Sequence, residues 1–532
     1  MKQIILNGYM GTGKTTLGKA AADKLGCSFY DLDHLIEQEE GKPVREIFSS
    51  QGEVHFRRLE AEMLVKVLQR DGVIALGGGT LTNEHNKEHV MASDSLLIGL
   101  CTSVEEIVKR VTKTQASRPL LASDQTSLAD HVHRMLKQRR RIYQNYDFQI
   151  DTQLTSTDLA ATQLASLARL TVKRVVHPDG CYPIVIGRGT LSLIGELIAL
   201  RKRVKRVFIV SNSIVSALYL QTVKQSLLAQ ELESDVILIP DGEEGKSLAT
   251  IQLVYEQLSE MHADRNSLLM ALGGGITGDI CGFAAATYMR GLPFIQVPTT
   301  LVSMVDSSIG GKTGVNLSQG KNLVGSFKQP ELVVMDMETL KTLPNHEVLN
   351  GFGEFLKHGL IASPELVHTL VNNPQSIEQL VWDENFQELL IQSLEVKRQV
   401  VQKDPFEENE RMKLNFGHTL GHAIEKASNF QVSHGEAVLI GMWFASMLSN
   451  RLGFLPENEL GLIDQLYQKY NLPRSLENID TATLYQYMLQ DKKKDGKDVR
   501  WVLLHHVGEA FIYTNPSREL LEELLLYVGA NQ

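Results

Sequence analysis

The chain runs to 532 residues, too many for one ordinary core and enough for roughly three to four folding units of about 150 residues each. Its 43% hydrophobic and 22% charged residues are ordinary for a globular protein, and a net charge of -10 opposes a broad nucleic-acid-binding face. Four scattered cysteines, Cys27, Cys101, Cys181 and Cys281, form no C-x-x-C pair and suggest neither a zinc ribbon nor a disulfide framework, and no apolar run approaches the ~20 residues of a membrane span.

Met1-Lys2-Gln3 leads straight into an apolar strand and a glycine turn, which leaves no room for a signal peptide and sets the expected location as cytoplasmic. Residues 3–6 read as a buried strand, Gly8 to Thr15 as a loop, and Leu17 onward as a helix. Further strands are expected at the Phe29-Tyr30 step, at Val73 to Leu76 before Gly77-Gly78-Gly79, and at Ser95 to Leu100. Strands alternating with helical stretches imply a parallel sheet wrapped by helices. A Thr/Ser/Ala/Gln-rich stretch at 152–170 reads as a last helix running into a linker, with a boundary near Leu170. A second α/β pattern follows, with strands expected at 184–187, 207–210, 236–239, 268–272 and 294–297. Beyond about Thr339 amphipathic helices dominate, apart from a strand at 499–504.

Gly8-Tyr9-Met10-Gly11-Thr12-Gly13-Lys14-Thr15 fits the P-loop pattern, in the strand-to-helix context that the motif requires. Gly11 and Gly13 let backbone N–H groups approach phosphate oxygens, Lys14 neutralises them, Thr15 is placed to ligate Mg²⁺, and Thr16 extends the ATP contacts. Asp31-Leu-Asp33, Gly52-Glu53-x-x-Phe56-Arg57-x-x-Glu60, the Gly77 to Gly79 triplet, Arg118-Pro-Leu-Leu and Arg139 follow in that order. Over about the first 150 residues this resembles shikimate kinase. The resemblance implies that Asp33 orients or deprotonates the attacking hydroxyl. It implies that Arg57 and Arg139 hold the shikimate carboxylate by forked, charge-assisted bonds, that Gly78 or Gly79 allows close approach, and that Arg118 reaches the transferring phosphate. Asp31 fits a water-mediated Mg²⁺ contact and a helix cap equally well.

From about Thr171 the motifs change. Pro240-Asp241-Gly-Glu243-Glu-Gly245-Lys246-Ser comes first, then Leu272-Gly-Gly-Gly275-Ile-Thr-Gly-Asp279, a glycine turn opening a helix as a pyrophosphate site requires. Thr299-Thr300, Asp306-Ser-Ser-Ile-Gly-Gly-Lys312 and Gly320-Lys321-Asn322 follow. His418 and His422 stand at i and i+4 on one helix face, a spacing that by itself suggests one shared metal. Together with Gly351-Phe-Gly-Glu354-Phe-Leu-Lys357 and His434-Gly-Glu, the segment resembles 3-dehydroquinate synthase.

That resemblance implies Glu354, His418 and His434 as ligands of Zn²⁺ (or Co²⁺), with His422 turned to the substrate phosphate. It implies NAD contacts at Asp241, Glu243, Lys246, Gly275, Asp279, Thr299, Thr300, Lys312 and Lys321, with Asn212, Thr339 and Thr342 also assigned. For an acidic, phosphorylated substrate it supplies Lys312, Lys357, Lys397, Arg411, and Lys492 or Lys493, with Asp306, Asn322 and Asn415. Arg290 is implied to come from a neighbouring subunit, and hence a homodimer formed through the cyclase part. The implied reaction on a heptulosonate phosphate oxidises a hydroxyl, eliminates phosphate, returns the hydride and closes the ring by an aldol step, so NAD is regenerated. Glu407 fits an auxiliary acid or base. Gly245 and Gly353 depart from the family pattern, as does His358, which has no role assigned.

The expected fold is therefore α/β: a P-loop kinase domain with a parallel sheet (1–170), a Rossmann-like NAD-binding half (171–338) and a mostly α-helical metal- and substrate-binding half (339–532). The expected partners are small molecules, shikimate and the heptulosonate phosphate, with no nucleic acid and no membrane. Other readings keep the folds but change the substrates, to another sugar phosphate or a polyol, or make the kinase part a nucleotide sensor. Because the two implied activities are not consecutive, the sequence gives no reason to expect direct transfer of an intermediate between them.

Overall fold

Five short strands organise the first part of the chain: Ile4–Gly8 (β1), Phe29–Asp31 (β2), Val73–Ala75 (β3), Leu96–Cys101 (β4) and Phe148–Asp151 (β5). They form a fully parallel sheet in the order β2-β3-β1-β4-β5. β1 is buried along its whole length, as a central strand covered by helices on both faces must be. The P-loop leaves its carboxyl end and turns into the helix Lys14–Leu25. The computed structural model describes residues 2–113, 128–138, 145–202, 204–477, 480–490, 500–514 and 516–530.

The second sheet has seven strands: Thr171–His177 (β6), Gly180–Gly187 (β7), Arg206–Ser211 (β8), Glu233–Leu238 (β9), Leu268–Gly273 (β10), Phe294–Pro298 (β11) and, last in sequence, Leu332–Asp336. Its order is β6-β7, then Leu332–Asp336, then β11-β10-β8-β9. β6 runs antiparallel to β7 while the remaining pairs are parallel, so the sheet is mixed. A two-stranded hairpin, Lys312–Leu317 with Gly320–Phe327, stands beside it. From Asn345 onward helices dominate, among them Asn345–Ala362, Phe386–Lys403, His418–Ala427 and His434–Arg451.

Several elements differ from the sequence reading. β5 alternates apolar and polar residues and β6 breaks its valines with Lys173 and Arg174, so neither reads as an apolar run, and both lie at a sheet edge. The 312–327 hairpin is rich in Gly, Asn and Lys, and Thr313, Val315 and Val324 are too sparse among them to mark its strands as an apolar run would. The late strand Arg500–His506 pairs antiparallel with an unexpected Glu509–Thr514. The linker expected after the last helix of the first part is absent. That helix, Thr157–Leu167, packs on Lys14–Leu25, and β6 begins at Thr171. One buried apolar cluster runs from Ile4, Ile98 and Phe148 through Leu164 and Leu167 to Val172, Ile194 and Leu197. The two parts therefore share a core instead of hanging on a tether. Among the described residues no helix is long and apolar enough to cross a membrane.

Candidate active sites

The first site gathers at the carboxyl ends of β1, β2 and β3. Gly11 and Gly13 have φ of 84° and 91°, a left-handed backbone that glycine adopts without strain and that turns the loop tightly before the helix. Lys14 Nζ folds back onto the carbonyls of Gly8 (2.8 Å) and Tyr9 (3.2 Å). Thr15 and Thr16 are exposed at the helix start. Thr15 Oγ1 donates to Asp31 Oδ2 at 2.8 Å. Asp31 precedes the helix Leu32–Glu40 but makes no side-chain capping bond, so its carboxylate serves Thr15 instead.

Asp33, Arg57 and the glycine triplet lie together. A Cβ on Gly77 would stand 2.9 Å from Asp33 Oδ1, and one on Gly79 would stand 2.9 Å from an Arg57 nitrogen. At Gly78 the neighbour is the P-loop backbone, with Met10 N 3.4 Å away. The triplet thus lets the chain pass between the P-loop and the two charged side chains. Arg57 is aimed by Glu60 (2.8 Å), a buried carboxylate that also accepts from Thr80 (2.6 Å). Burial, with Asp31 and Glu60 nearby, pushes the Asp33 carboxyl up to about 6. Arg118 and Arg139 lie outside the described residues. The sequence reading did not single out Arg110. Its guanidinium bonds the P-loop carbonyl of Gly11 (3.3 Å) and Thr152 (3.0 Å), a contact between remote segments that no local motif marks.

The second site lies in the helical region. Gly353 on Asn345–Ala362 meets Gly435 at the start of His434–Arg451, and a Cβ on Gly353 would stand 2.8 Å from the Gly435 carbonyl. At Gly441 a Cβ would stand 1.9 Å from the Gly417 carbonyl. Side-chain-free contacts draw three helices close enough for Glu354, His418 and His434 to converge. The small residue at 353, a departure in the motif, is thus one that the helix packing demands. Glu354 Oε1 lies 3.3 Å from His418 Nε2 and 3.2 Å from His434 Nε2. One ligand atom from each of the three falls within 4.8 Å of the others.

The donor set fits a metal. His418 Nδ1 engages the Phe416 carbonyl at 3.2 Å, and His434 Nδ1 engages Glu425 at 3.3 Å. Both rings therefore present Nε2 to the shared centre, as outer partners of metal-bound histidines do. Burial opposes ionisation of Glu354, but Lys357 and His418 overcome it and hold the carboxyl well below its usual range. Burial likewise lowers the His434 imidazole, yet Glu354 and Glu425 raise it to about 10, and burial with Lys357 lowers His418 to about 4. His422, on the next turn, is exposed, and its ring centroid is 5.4 Å from that of His418.

Charged groups surround this centre. Lys357 pairs with Glu354, Lys397 with Asp306 (2.6 Å) and Lys312 with Glu407. Burial works against the Asp306 carboxylate, but Lys397 and Lys357 hold its pKa far down. Arg411 is buried against the carbonyls of Gly310 (3.3 Å) and Pro405 (2.9 Å). Asn415 ends the turn before His418. Arg290 is exposed with φ of 68° and, among the described residues, its side chain has no hydrogen bond or ion pair. Lys492 and Lys493 lie outside the described residues.

The glycine turn at the carboxyl end of β10 opens the helix Gly275–Thr287. Gly275 lies so near Ser307 that a Cβ would stand 2.9 Å from its hydroxyl. Lys246 bonds Asp279 (2.5 Å) and Asn322 (2.6 Å), while Asn212 bonds Asp241 (2.7 Å). Burial raises Asp279 to about 6 against the pull of Lys246. Thr299 donates its N–H to Gly273, and Thr300 bonds Ser303. Thr339 turns its hydroxyl onto the Asp336 carbonyl, whereas Thr342, exposed, bonds Tyr219. These last two hydroxyls are thus engaged with their own neighbourhood. Lys321, in the hairpin, approaches Glu243 (3.8 Å) and bonds Glu425 (3.0 Å).

Glu425 is the residue that sequence reasoning missed here. It is buried, held down to about 2 despite burial by His434 and Lys321, and stands seven residues after His418 on the same helix. Glu425→Gln is expected to weaken metal affinity by about 10–100-fold, the usual scale for an outer partner of a ligating histidine. Chelator competition with Co²⁺, followed by its visible absorption, measures this directly, and an unchanged affinity would remove Glu425 from the metal's support.

A P-loop on a five-stranded parallel sheet, joined to a buried carboxylate–imidazole group that could hold a metal ion beside glycine turns, defines a two-part enzyme: a kinase joined to a second enzyme. The shikimate kinase family model matches residues 10–169, and the N- and C-terminal models of 3-dehydroquinate synthase match 236–350 and 351–494. The chain belongs to the 3-dehydroquinate synthase family and carries a shikimate kinase domain ahead of it. A 3-dehydroquinate synthase of Streptococcus suis is 41% identical over 65% of this chain and 98% of its own. A solved 2-epi-5-epi-valiolone synthase from Streptomyces hygroscopicus, with NAD+ and Zn2+ bound, is 27% identical over 64% of this chain and 95% of its own, with a TM-score of 0.60. A solved shikimate kinase of Acinetobacter baumannii, in complex with shikimate, is 32% identical over 31% of this chain and 92% of its own, with a TM-score of 0.30.

Proposed function

We propose that the chain phosphorylates shikimate with ATP and, separately, cyclises 3-deoxy-D-arabino-heptulosonate 7-phosphate to 3-dehydroquinate with loss of phosphate. The convergence of Glu354, His418 and His434 carries the second half of this reading. The division proposed is 1–170 for the kinase, 171–338 for the dinucleotide half and 339–532 for the metal and substrate half.

In the kinase, Lys14 releases the Gly8 and Tyr9 carbonyls to meet the nucleotide phosphates, and Thr15 would hold Mg²⁺, which would neutralise their charge. Asp33 accepts the proton of the attacking hydroxyl, while Arg57, aimed by Glu60, holds the carboxylate of shikimate. Arg118 and Arg139 are proposed to complete the phosphate and carboxylate contacts.

In the synthase, Glu354, His418 and His434 would hold the metal, and Lys246, Asp279, Asp241 and Thr300 would line the dinucleotide. When bound, the metal supplies a Lewis acid at a substrate hydroxyl, and NAD supplies a hydride acceptor that is restored by the end of the cycle. Lys357 and Lys397, both buried, stand in the charged cluster around the metal group, placed to neutralise an acidic substrate. Arg411, Asn322, Asn415, His422, and one of Lys492 and Lys493 would orient the phosphate and carboxylate. Arg290, exposed and without a partner among the described residues, is proposed to reach the site of a second subunit in a cytoplasmic homodimer.

One purified preparation tests both halves. Shikimate-dependent ADP release and metal-dependent phosphate release, without net NADH, are expected together. Net NADH would instead mark a polyol dehydrogenase, and ATP turnover indifferent to shikimate would argue against the kinase half.

A further inference from the structure

Arg174 lies on β6, five residues beyond the span matched to the kinase family, and yet all its side-chain donors serve the kinase. Its guanidinium forks onto Asp147, with Nε to Oδ1 at 2.8 Å and Nη2 to Oδ2 at 2.5 Å. The other bonds go to the carbonyls of Val90 (3.3 Å), Met91 (3.2 Å) and Ser95 (3.0 Å). Both partners of the pair are buried, with side chains 5% and 2% exposed. A second synthase arginine, Arg201, donates to the carbonyl of Tyr146. The Tyr146–Asp147 peptide is therefore gripped by two arginines of the synthase half.

Tyr146 carries that grip to the phosphate loop. Its ring lies over Gly99 on β4, where a Cβ would stand 2.0 Å away, so the ring has no room to shift toward the sheet. Its hydroxyl accepts from Asn7 Nδ2 at 3.1 Å, and Asn7 is the residue before Gly8, where the P-loop begins. The same ring lines a cavity of about 230 Å³ together with Tyr9 and Thr12 of the loop.

We propose that Arg174 is a positioning residue for the kinase reaction, supplied by the synthase half: through Asp147 and Tyr146 it fixes the turn that presents the P-loop to ATP. A forked ion pair with all its donors engaged admits one orientation, unlike an apolar contact. Phosphate binding by backbone N–H groups tolerates displacements of only about 0.5 Å. The fusion thus has a consequence at the kinase site that requires no passage of an intermediate. The inference rests on the kinase activity, which the unaltered full-length chain establishes in the same assay.

The test uses full-length Arg174→Met and Tyr146→Phe, with kinase constants, synthase phosphate release and melting temperature measured on each. Arg174→Met is expected to raise the KM for ATP by about three- to tenfold, with a smaller change in kcat and unchanged synthase kcat/KM. Tyr146→Phe keeps the Arg174–Asp147 ion pair and removes the hydroxyl that accepts from Asn7, and it is expected to move the same KM in the same direction. A purely structural role for Arg174 would lower the melting temperature and leave the KM for ATP of the folded enzyme unchanged, which overturns the proposal. If Arg174→Met fails to fold, Tyr146→Phe decides alone, and an unchanged KM there overturns it equally.

Discussion

Replacing His418 with alanine abolishes metal binding and lowers phosphate release by roughly a thousandfold or more, beyond the 10–100-fold that outer partners of a metal site command. Shikimate-dependent ADP release stays within about twofold, because the P-loop belongs to a separate sheet and distant sites act additively. The choice of ligand matters. Glu354→Gln would also remove the metal, but it strands the ammonium of Lys357, which is buried against Glu354. Leaving such a charge uncompensated costs about 3–5 kcal/mol, so lost activity would mix with lost folding. His418→Ala leaves the Glu354–Lys357 pair intact and removes only an imidazole whose other nitrogen meets a backbone carbonyl. Metal content per chain, melting temperature and both activities, measured side by side, check the result. A variant that retains stoichiometric metal and full phosphate release would end the case for the three-residue centre.

The parts of both sites that were legible in the sequence are those that local chemistry writes into short runs. A P-loop needs its glycines, lysine and threonine at fixed offsets, so Gly8 to Thr15 declares itself. The His418/His422 spacing declares a shared helix face, but it pointed to the pair as common ligands. In the structure it is Glu354 and His434, from two other helices, that join His418, while His422 stands outside the group. Nothing in the long interval between Glu354 and His418 encodes that meeting. It is set by glycines at 353, 417, 435 and 441 that allow backbones to touch. The supports were less legible still. Glu425, Arg110 and Arg174 are ordinary charged residues in sequence and acquire meaning only through burial and partners far along the chain. Two of the edge strands, β5 and β6, escaped for a related reason. β6 keeps Lys173 and Arg174 in a run that a buried strand would fill with apolar residues, and Arg174 is there to reach the other half.

Asp33→Asn lowers kinase kcat by about 10²- to 10⁴-fold, the range carried by a positioned general base, and leaves synthase activity untouched. The pH profile gives the sharper test. Burial first, then repulsion from Asp31 and Glu60, raises the Asp33 carboxyl to about 6, with Lys14 pulling the other way. A raised pKa means that the carboxylate, the form able to accept a proton, dominates only above about pH 6. Below it the neutral acid prevails, and log kcat/KM for shikimate should fall by one unit per pH unit. The effect is opposite in sign to that of a carboxylate held down by a cation, which would stay active to much lower pH. Asp31 points its oxygen at Thr15, so the two acids in the Asp-Leu-Asp step are divided between the P-loop side and the acceptor side. That division makes Asp33, and not Asp31, the group that should set the acidic limb. In Asp33→Asn the limb should vanish, leaving a low and level rate. A wild-type profile that stays flat to about pH 5, well below the raised Asp33 value, or an Asp33→Asn profile that keeps the same limb, would transfer the proton-accepting role to another group.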